Sequence, residues 1–182
     1  MRRSVLVLTL LAAGLAAGGC GRGGKSAPAP TPTIASARAT FRTTDGRDVG
    51  SASLQQTAAG LLVTADLNGL PAGTHGIHFL SVGQCTAPDF TSAGPHHNPT
   101  AKQHGLRNVA GPHAGDLPNI HVPESGSLRV ELISRDAVLG AGDGTLFDGD
   151  GGAIVIHALA DDYQTDPSGG SGSRIACAVI ER

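Results

Sequence analysis

The chain has 182 residues and a formal net charge of −2 at pH 7, so nothing in its charge points to a nucleic-acid-binding protein. Hydrophobic residues make up 40% of the sequence but aromatic residues only 3%, so the core must consist mainly of valine, isoleucine, leucine and alanine. The 27 glycines and 11 prolines argue against long helices, because these residues favour turns and loops. The length suits one domain with a sizeable core.

The first residues have the pattern of a bacterial secretory signal, which covers residues 1–19. Arg2 and Arg3 are followed by an apolar run and then by small residues that end at Cys20, as in peptides that direct export. The small residues before Cys20 resemble a lipoprotein cleavage site, although Ala17 stands where leucine is more usual. We therefore expect an exported protein whose Cys20 carries lipid and anchors it to the membrane of the cell envelope. An uncleaved membrane anchor, or secretion without lipid, is the alternative.

The segment that follows the signal, residues 20–33, reads CGRGGKSAPAPTPT and has no apolar period. Its content of glycine, alanine, proline and threonine is typical of a flexible tether. We therefore place the folded domain at residues 34–182.

Short runs with the alternation of β-strands recur through that domain and are separated by turn signals, such as TTDGRD, which predicts a hairpin turn. The run LLVTADL places Leu61, Val63 and Ala65 on one face, and the runs IASARATF and LRVEL alternate in the same way. The runs AIVIHA and RIACAVI are continuously apolar, as expected of strands near the middle of a sheet. No convincing helix of ten residues appears after residue 33. The pattern predicts an all-β domain, an antiparallel sandwich or barrel.

A long segment between residues 81 and 121 departs from this pattern because it is rich in glycine, proline, asparagine and histidine. It is too polar for a core and too long for an ordinary connection, so we expect a functional loop held by a metal, a disulfide or both. Cys85 and Cys177 are the cysteines that remain if Cys20 carries lipid, and they can pair in an oxidising compartment. Two buried free thiols are the alternative.

Histidines are concentrated in and around this loop, since all eight lie between residues 75 and 157. Histidine is the commonest nitrogen ligand for zinc and copper. Clustering alone is a weak signal, because a solvated polar loop can carry several histidines. His157, at the end of a predicted core strand, is either a ligand or a buried structural histidine.

The spacing within the loop is more specific than the clustering. The run KQHGLRNVAGPHAGDL places His113 nine residues after His104, and Asp116 three residues later. The run SAGPHHNP adds His96 and His97. Three imidazoles and one carboxylate form a closed tetrahedral site for Zn²⁺, with metal–ligand distances of about 2.0–2.2 Å.

Five segments, in this order, resemble the copper/zinc superoxide dismutases, particularly their exported bacterial forms: HGIHFLSVGQC, SAGPHHNP, HGLRNVAGPHAGDL, AIVIHALADD and GSRIACAVI. The resemblance covers roughly residues 34–182. It implies an eight-stranded Greek-key β-barrel, often described as a flattened sandwich, in which a Cys85–Cys177 disulfide ties the loop to the barrel. It also implies zinc and copper as cofactors, and the dismutation of superoxide to oxygen and hydrogen peroxide.

The resemblance gives the clustered side chains separate roles. Zinc would be held by four of them, namely His96, His104, His113 and Asp116. Copper would be held by His78, by His157 and by the second ring nitrogen of His96, which would thus bridge the two metals.

Two charged residues receive supporting roles from the same resemblance. Asp161 would hydrogen-bond the free ring nitrogens of His78 and His104 and fix their tautomers. Arg174 would lie at the mouth of the copper channel and attract the superoxide anion. The alternatives are a solvated loop acid for Asp161 and an ordinary surface charge for Arg174.

One position departs from the family pattern. The family binds copper through four histidines, two of them in a His-x-His pair on one strand, whereas here the pair reads His78-Phe79-Leu80. The zinc set is therefore complete and the copper set lacks one ligand, which should weaken copper binding and shift the copper potential. His75 and His97 are the nearby histidines that could substitute.

Three functions remain open on this sequence. The first is superoxide dismutation at the cell envelope with reduced turnover, which Asp161 and Arg174 favour. The second is a zinc-stabilised envelope lipoprotein that holds or passes copper without turnover, which Leu80 favours. The third is a structural envelope module that uses the fold as a scaffold.

Overall fold

The computed structural model describes residues 35–182, which are almost entirely β-structure. Nine strands follow in chain order: β1 (Ser36–Thr43), β2 (Asp48–Thr57), β3 (Gly60–Leu67), β4 (Gly73–His75), β5 (Ile77–Leu80), β6 (Ile120–Val122), β7 (Leu128–Ser134), β8 (Ala153–His157) and β9 (Arg174–Glu181). One turn of 3₁₀ helix, Thr91–Ala93, lies in the long loop. Among these residues, no helix has the length and apolar character needed to span a bilayer. The predicted signal, the lipidated Cys20 and the tether at 20–33 lie outside the described residues.

Seven of the strands form one antiparallel sheet in the order β5-β8-β9-β1-β2-β3-β7, and β4 pairs with β6. β4 and β5 belong to one run of chain that is interrupted only at Gly76, whose N–H donates to the carbonyl oxygen of Leu159 at 2.8 Å. Counted as one strand, they give the eight strands predicted. Because β4 continues into β5 at one sheet edge and β6 precedes β7 at the other, the β4–β6 pair helps the curled sheet to close.

The alternating runs become strands whose apolar side faces the inside of the barrel. In β3, Leu61, Val63 and Ala65 are fully buried while the residues between them are partly or fully exposed. The turn between β1 and β2 falls in the predicted TTDGRD segment. There Gly46 has φ +84°, a left-handed conformation that glycine adopts without steric cost.

β8 is buried on both faces, which explains its continuous apolar sequence. Ile154 and Ile156 face the barrel core, whereas Ala153 and Val155 face outward beneath the long loop. The outward residues belong to a second, smaller group of buried side chains, which we call the outer apolar cluster: Leu80, Phe90, Ala93, Ala153, Val155 and Cys177. The loop between β5 and β6 therefore packs on the sheet through an apolar layer of its own.

Candidate metal centre

Two neighbouring strands and the long loop bring the histidines together. β5 carries His78, and the adjacent strand β8 ends on His157. The loop runs antiparallel to β5, with bridges from His78 to Asp116 and from Leu80 to His96. Side chains that are far apart in the loop are thereby placed beside the same strand.

Gly115 allows the loop to approach the strand this closely. A Cβ atom at position 115 would come within 2.4 Å of the carbonyl oxygen of Phe79, so any other residue would push loop and strand apart. The carbonyl of Gly115 accepts the N–H of Phe79 at 2.9 Å, and its N–H donates to the carbonyl of His97 at 2.8 Å. The glycine thus positions its neighbour Asp116.

Three imidazoles surround one carboxylate oxygen of Asp116. Its Oδ1 lies 2.9 Å from Nδ1 of His104, 3.0 Å from Nδ1 of His96 and 3.4 Å from Nδ1 of His113. The Nδ1 atoms of His96 and His113 are 3.5 Å apart. In a tetrahedral site with bonds of about 2.0–2.1 Å, the ligand atoms are about 3.3–3.4 Å apart. These four atoms therefore have the approximate spacing of a tetrahedral zinc site.

His78 also comes near this set, because His78, His96, His104 and Asp116 each offer a ligand atom within 4.8 Å of one another. Its Nε2, however, is engaged with Oδ2 of Asp161 at 2.8 Å. Nδ1 of His113 instead lies beside Asp116 itself. His113 rather than His78 therefore completes the tetrahedral arrangement.

Asp161 connects His78 on β5 with His104 in the long loop. Its Oδ2 is 2.8 Å from Nε2 of His78, and its Oδ1 is 3.0 Å from Nε2 of His104. The residue is only 4% exposed, so it is not a solvated loop acid. Asn119 holds it in place: the Asn119 side chain donates to the Asp161 carbonyl and accepts the Asp161 N–H, each at 2.9 Å.

Four ring nitrogens among the described residues are buried without a hydrogen-bond partner: Nδ1 of His78 and Nε2 of His96, His97 and His157. Three of these rings lie together, with the centroid of His78 4.0 Å from that of His96 and 5.0 Å from that of His157. A buried polar atom without a partner is costly. Three such nitrogens in one place fit a metal ion that accepts their lone pairs.

Burial keeps these three imidazoles in the form that binds metals. It lowers the pKa of His78 to about 3 and that of His157 to about 4, and it also lowers the pKa of His96. At neutral pH the rings are therefore uncharged, which is the state of a histidine ligand.

His104 behaves differently because it lies between two carboxylates. Burial alone would lower the pKa of His104, but hydrogen bonds with Asp116 and Asp161 raise it to about 9. Burial would likewise raise the pKa of the two carboxyl groups, but the hydrogen bonds from the histidines hold it below the usual range. Without metal, His104 is thus a positively charged imidazolium at neutral pH.

Arg174 lies beside the open side of the cluster. Its Nη1 donates to the carbonyl oxygen of Phe90 at 2.6 Å, and its Nη2 donates to that of Gly94 at 2.7 Å. The side chain lines a cavity of about 740 Å³ together with His96 and His157. The guanidinium is therefore held in place at the cavity and is not a free surface charge.

The loop is tied to the sheet by a disulfide between Cys85 and Cys177, with an S–S distance of 2.02 Å. Cys177 lies on β9 and Cys85 lies in the loop, 92 positions earlier. The expected pairing is confirmed.

The family model described as copper/zinc superoxide dismutase (SODC) matches residues 49–180. The chain belongs to the copper/zinc superoxide dismutase family. It is 44% identical over 138 residues to superoxide dismutase [Cu-Zn] 1 of Aquifex aeolicus, an overlap of 75% of this chain and 82% of that protein. It is 36% identical over 193 residues to the superoxide dismutase-like protein YojM of Bacillus subtilis, covering 99% and 96% of the two chains. The crystal structure of a SOD-like protein from Bacillus subtilis matches with a TM-score of 0.77 and 37% identity, covering 81% and 99% of the two chains.

Membership in this family confirms the expected fold and the expected cofactors. Copper/zinc superoxide dismutases use copper and zinc, and the buried group of histidines and Asp116 could hold a metal. The tetrahedral arrangement and the three unpartnered nitrogens show that the residues of this chain fit both metals.

Leu80 is the residue that departs from the His-x-His pair expected from the family resemblance. It lies two residues after His78 on β5, so both side chains leave the strand on the same face. Leu80 is fully buried and packs in the outer apolar cluster. Leu80 thus presents an alkyl side chain on the face of β5 that carries His78, and it is the bridge partner of His96 in the loop.

The two histidines considered as substitutes have different surroundings. Both ring nitrogens of His75 face main-chain carbonyl oxygens. Nδ1 lies 2.8 Å from the carbonyl oxygen of His157, and Nε2 lies 3.0 Å from the carbonyl oxygen of Pro71. The buried ring of His97 takes part in none of the close ring pairs within residues 35–182, although its Nε2 lacks a hydrogen-bond partner.

Several supporting groups were not identified from the sequence. Asn119 orients Asp161, and Oδ1 of Asp166 accepts the backbone N–H of His104 at 2.6 Å. The carbonyl groups that hold Arg174 belong to residues whose side chains have no part in the contact. Main-chain carbonyls occur at every residue, so no sequence pattern could have indicated them.

Proposed function

We propose that this protein dismutates superoxide to oxygen and hydrogen peroxide, at a turnover reduced by the absence of one copper ligand. The observation that carries the proposal is the group of three buried, unpartnered imidazole nitrogens beside a complete tetrahedral set. A protein that used the fold only as a scaffold would have no need to hold such costly groups together.

The geometry supports a definite assignment of ligands. Zinc would be held by Nδ1 of three histidines and by Oδ1 of one aspartate, namely His96, His104, His113 and Asp116. Copper would be held by Nδ1 of His78 and by Nε2 of His96 and His157. His96 would then bind a different metal through each ring nitrogen.

Copper, when bound, supplies the one-electron chemistry that converts superoxide to oxygen and to hydrogen peroxide. The protein's own residues prepare the site for it. Asp161 holds Nε2 of His78 and Nε2 of His104, which leaves Nδ1 of each ring directed at a metal position. Arg174 places a fixed positive charge beside the cavity, where it attracts the superoxide anion.

A second candidate function is a zinc-stabilised protein that holds copper without turnover. Leu80 favours it, because an alkyl group occupies the position of a copper ligand. The charge of the cavity favours it as well. Three acidic side chains, Asp143, Asp148 and Asp166, line the cavity against two basic ones, Lys102 and Arg174, a balance that attracts a metal cation better than it attracts an anion.

The experiment that tests dismutation uses the full-length chain loaded with zinc and copper. Its metal content is measured by mass spectrometry and the decay of superoxide by stopped flow. We expect catalysed decay that is lost in His157→Ala and kept in His121→Ala, since His121 is exposed and bonds only to Thr74. Copper-loaded protein with no catalysed decay would favour the copper-holding function.

We also propose that the protein is exported and anchored to the cell envelope through lipid on Cys20. The support is the signal pattern at residues 1–19 and the small residues before the cysteine. Labelling of the protein in cells with a fatty-acid analogue should give a membrane-associated, labelled product. Cys20→Ser should abolish the label, and persistence of the label would refute the anchor.

A further inference from the structure

The three unpartnered imidazole nitrogens lie beside β5, where the bridge partner of His96 is Leu80, a residue with an alkyl side chain. From this arrangement we infer that the site selects Cu(I) over Cu(II), so that Leu80 sets the oxidation state of the bound copper. The inference rests on the copper site assigned above, and it does not depend on whether that copper turns over superoxide.

The first step is that three unpartnered imidazole nitrogens lie together at the copper position. All eight histidines of the chain lie among the described residues. Nδ1 of His78 and Nε2 of His96 and His157 have no hydrogen-bond partner, and their rings lie within 6.2 Å of one another by centroid distance. These three nitrogens are the histidine donors whose rings are in close mutual contact there.

The other histidines are committed elsewhere or lie apart. Both ring nitrogens of His75 face carbonyl oxygens, and both of His104 face carboxylates. Nδ1 of His113 belongs to the tetrahedral set, and His121 is exposed beside Thr74. His97 lines the same cavity as His96 and His157, but its ring makes no close pair with any of the three.

The second step is that the position next to His78 cannot supply a fourth donor. Leu80 is fully buried among Phe90, Ala93 and Val155 in the outer apolar cluster. The other members of the cluster are Ala153 and Cys177, and Cys177 is in the disulfide. A water molecule placed among these groups would lack the partners that a buried water needs.

The third step is the difference between the two oxidation states of copper. Cu(II) prefers tetragonal coordination by nitrogen and oxygen ligands, and one of those positions is closed here by an alkyl side chain. Any further ligand must come from the cavity side. Cu(I) has a filled d shell and so no such geometric preference, and three imidazole nitrogens satisfy it. Leu80 therefore weakens Cu(II) binding more than Cu(I) binding.

The test compares the zinc-loaded full-length chain with Leu80→His and with Leu80→Ile. Histidine at position 80 adds a donor on the same face as His78, whereas isoleucine keeps an alkyl group of similar volume and adds none. Affinities are measured by competition with chelators, anaerobically for Cu(I) and aerobically for Cu(II). The bound metal is followed by its absorbance, without any activity assay.

We expect Leu80→His to bind Cu(II) at least about tenfold more tightly, with a change of less than about threefold for Cu(I). A tenfold change in the ratio of the affinities corresponds to about 59 mV for one electron. The reduction potential of the wild-type protein should therefore exceed that of Leu80→His, and Leu80→Ile should keep the wild-type ratio. Equal gains for both ions in Leu80→His would overturn the inference.

The wild-type protein gives a second, independent measurement in case Leu80→His does not fold. Wild type should bind Cu(I) at least about tenfold more tightly than Cu(II). Equal or tighter binding of Cu(II), or no binding of either ion, would overturn the inference. Preference for Cu(I) without catalysed superoxide decay would refute only the proposed dismutation. Rapid decay without that preference would refute only the inference about Leu80.

Discussion

Replacement of His113 by alanine is the sharpest test of the tetrahedral set. His113 is 6% exposed, and its Nδ1 lies 3.4 Å from Oδ1 of Asp116 and 3.5 Å from Nδ1 of His96. Alanine removes one of four ligand atoms and leaves the other three in place. We expect zinc to bind much more weakly in His113→Ala, because a closed tetrahedral site becomes an incomplete one.

The magnitude follows from the effect of smaller changes at metal sites. Mutation of groups that merely orient metal ligands costs about 10–100-fold in affinity, so loss of a ligand itself should cost at least about 100-fold. At about 1.4 kcal/mol for each factor of ten, this equals about 2.7 kcal/mol. With zinc in excess, the free energy of unfolding falls by the same amount, which lowers the Tm of a domain of this size by roughly 5–11 °C.

The assay compares thermal unfolding with and without zinc, so that loss of packing at position 113 is separated from loss of the metal. Zinc content is measured by mass spectrometry, and affinity by competition with a chelator. His121→Ala is the matched control, since His121 is exposed on β6. His78→Ala distinguishes the two possible metal sets, because it should lower the copper content and leave most of the zinc. Unchanged zinc affinity in His113→Ala would remove His113 from the site.

Three further predictions concern the disulfide, protonation and the cavity. Cys85→Ala combined with Cys177→Ala should lower the free energy of unfolding by up to roughly 4–5 kcal/mol in denaturant titrations, because the bond closes a loop of 92 positions; an unchanged midpoint would contradict this. Zinc binding at pH 7 should release about one proton, because the pKa of His104 is raised to about 9 without metal. Calorimetry in two buffers of different ionisation enthalpy measures the number of protons released. Proton release should fade above pH 9, because His104 is then already neutral. Arg174→Gln should slow superoxide decay by on the order of tenfold at low salt with unchanged metal content, while Arg107→Gln, at an exposed position, should not.

The barrel could be predicted from local patterns. Alternation in β3 specifies which side chains face the core, since strand geometry has a period of two residues. The continuous apolar run of β8 likewise indicates a strand covered on both sides, and the structure shows it buried on both faces. Gly46 lies in a turn predicted from neighbouring residues alone.

The residues proposed as zinc ligands could also be found in the sequence, because three of them, His104, His113 and Asp116, lie within one short segment. The departure at Leu80 was visible for the same reason, since His78 is two residues away. What the sequence could not specify was the use of each ring nitrogen. Both nitrogens of His75 face carbonyl oxygens whereas one nitrogen of His157 is left unpartnered, and nothing near either residue in the sequence distinguishes the two.

The sequence by itself therefore determined which residue types were available and which side of each strand they occupied, because both properties are local. The tertiary structure decided what those side chains meet. Asn119 reaches Asp161 from 42 positions away, and Arg174 reaches the carbonyl of Phe90 from 84 positions away. Contacts of that kind depend on how the sheet curls and where the loop returns to it. Only the folded chain could show that the place beside His78 is closed by an apolar cluster, because that cluster is assembled from the loop and from strands distant in sequence.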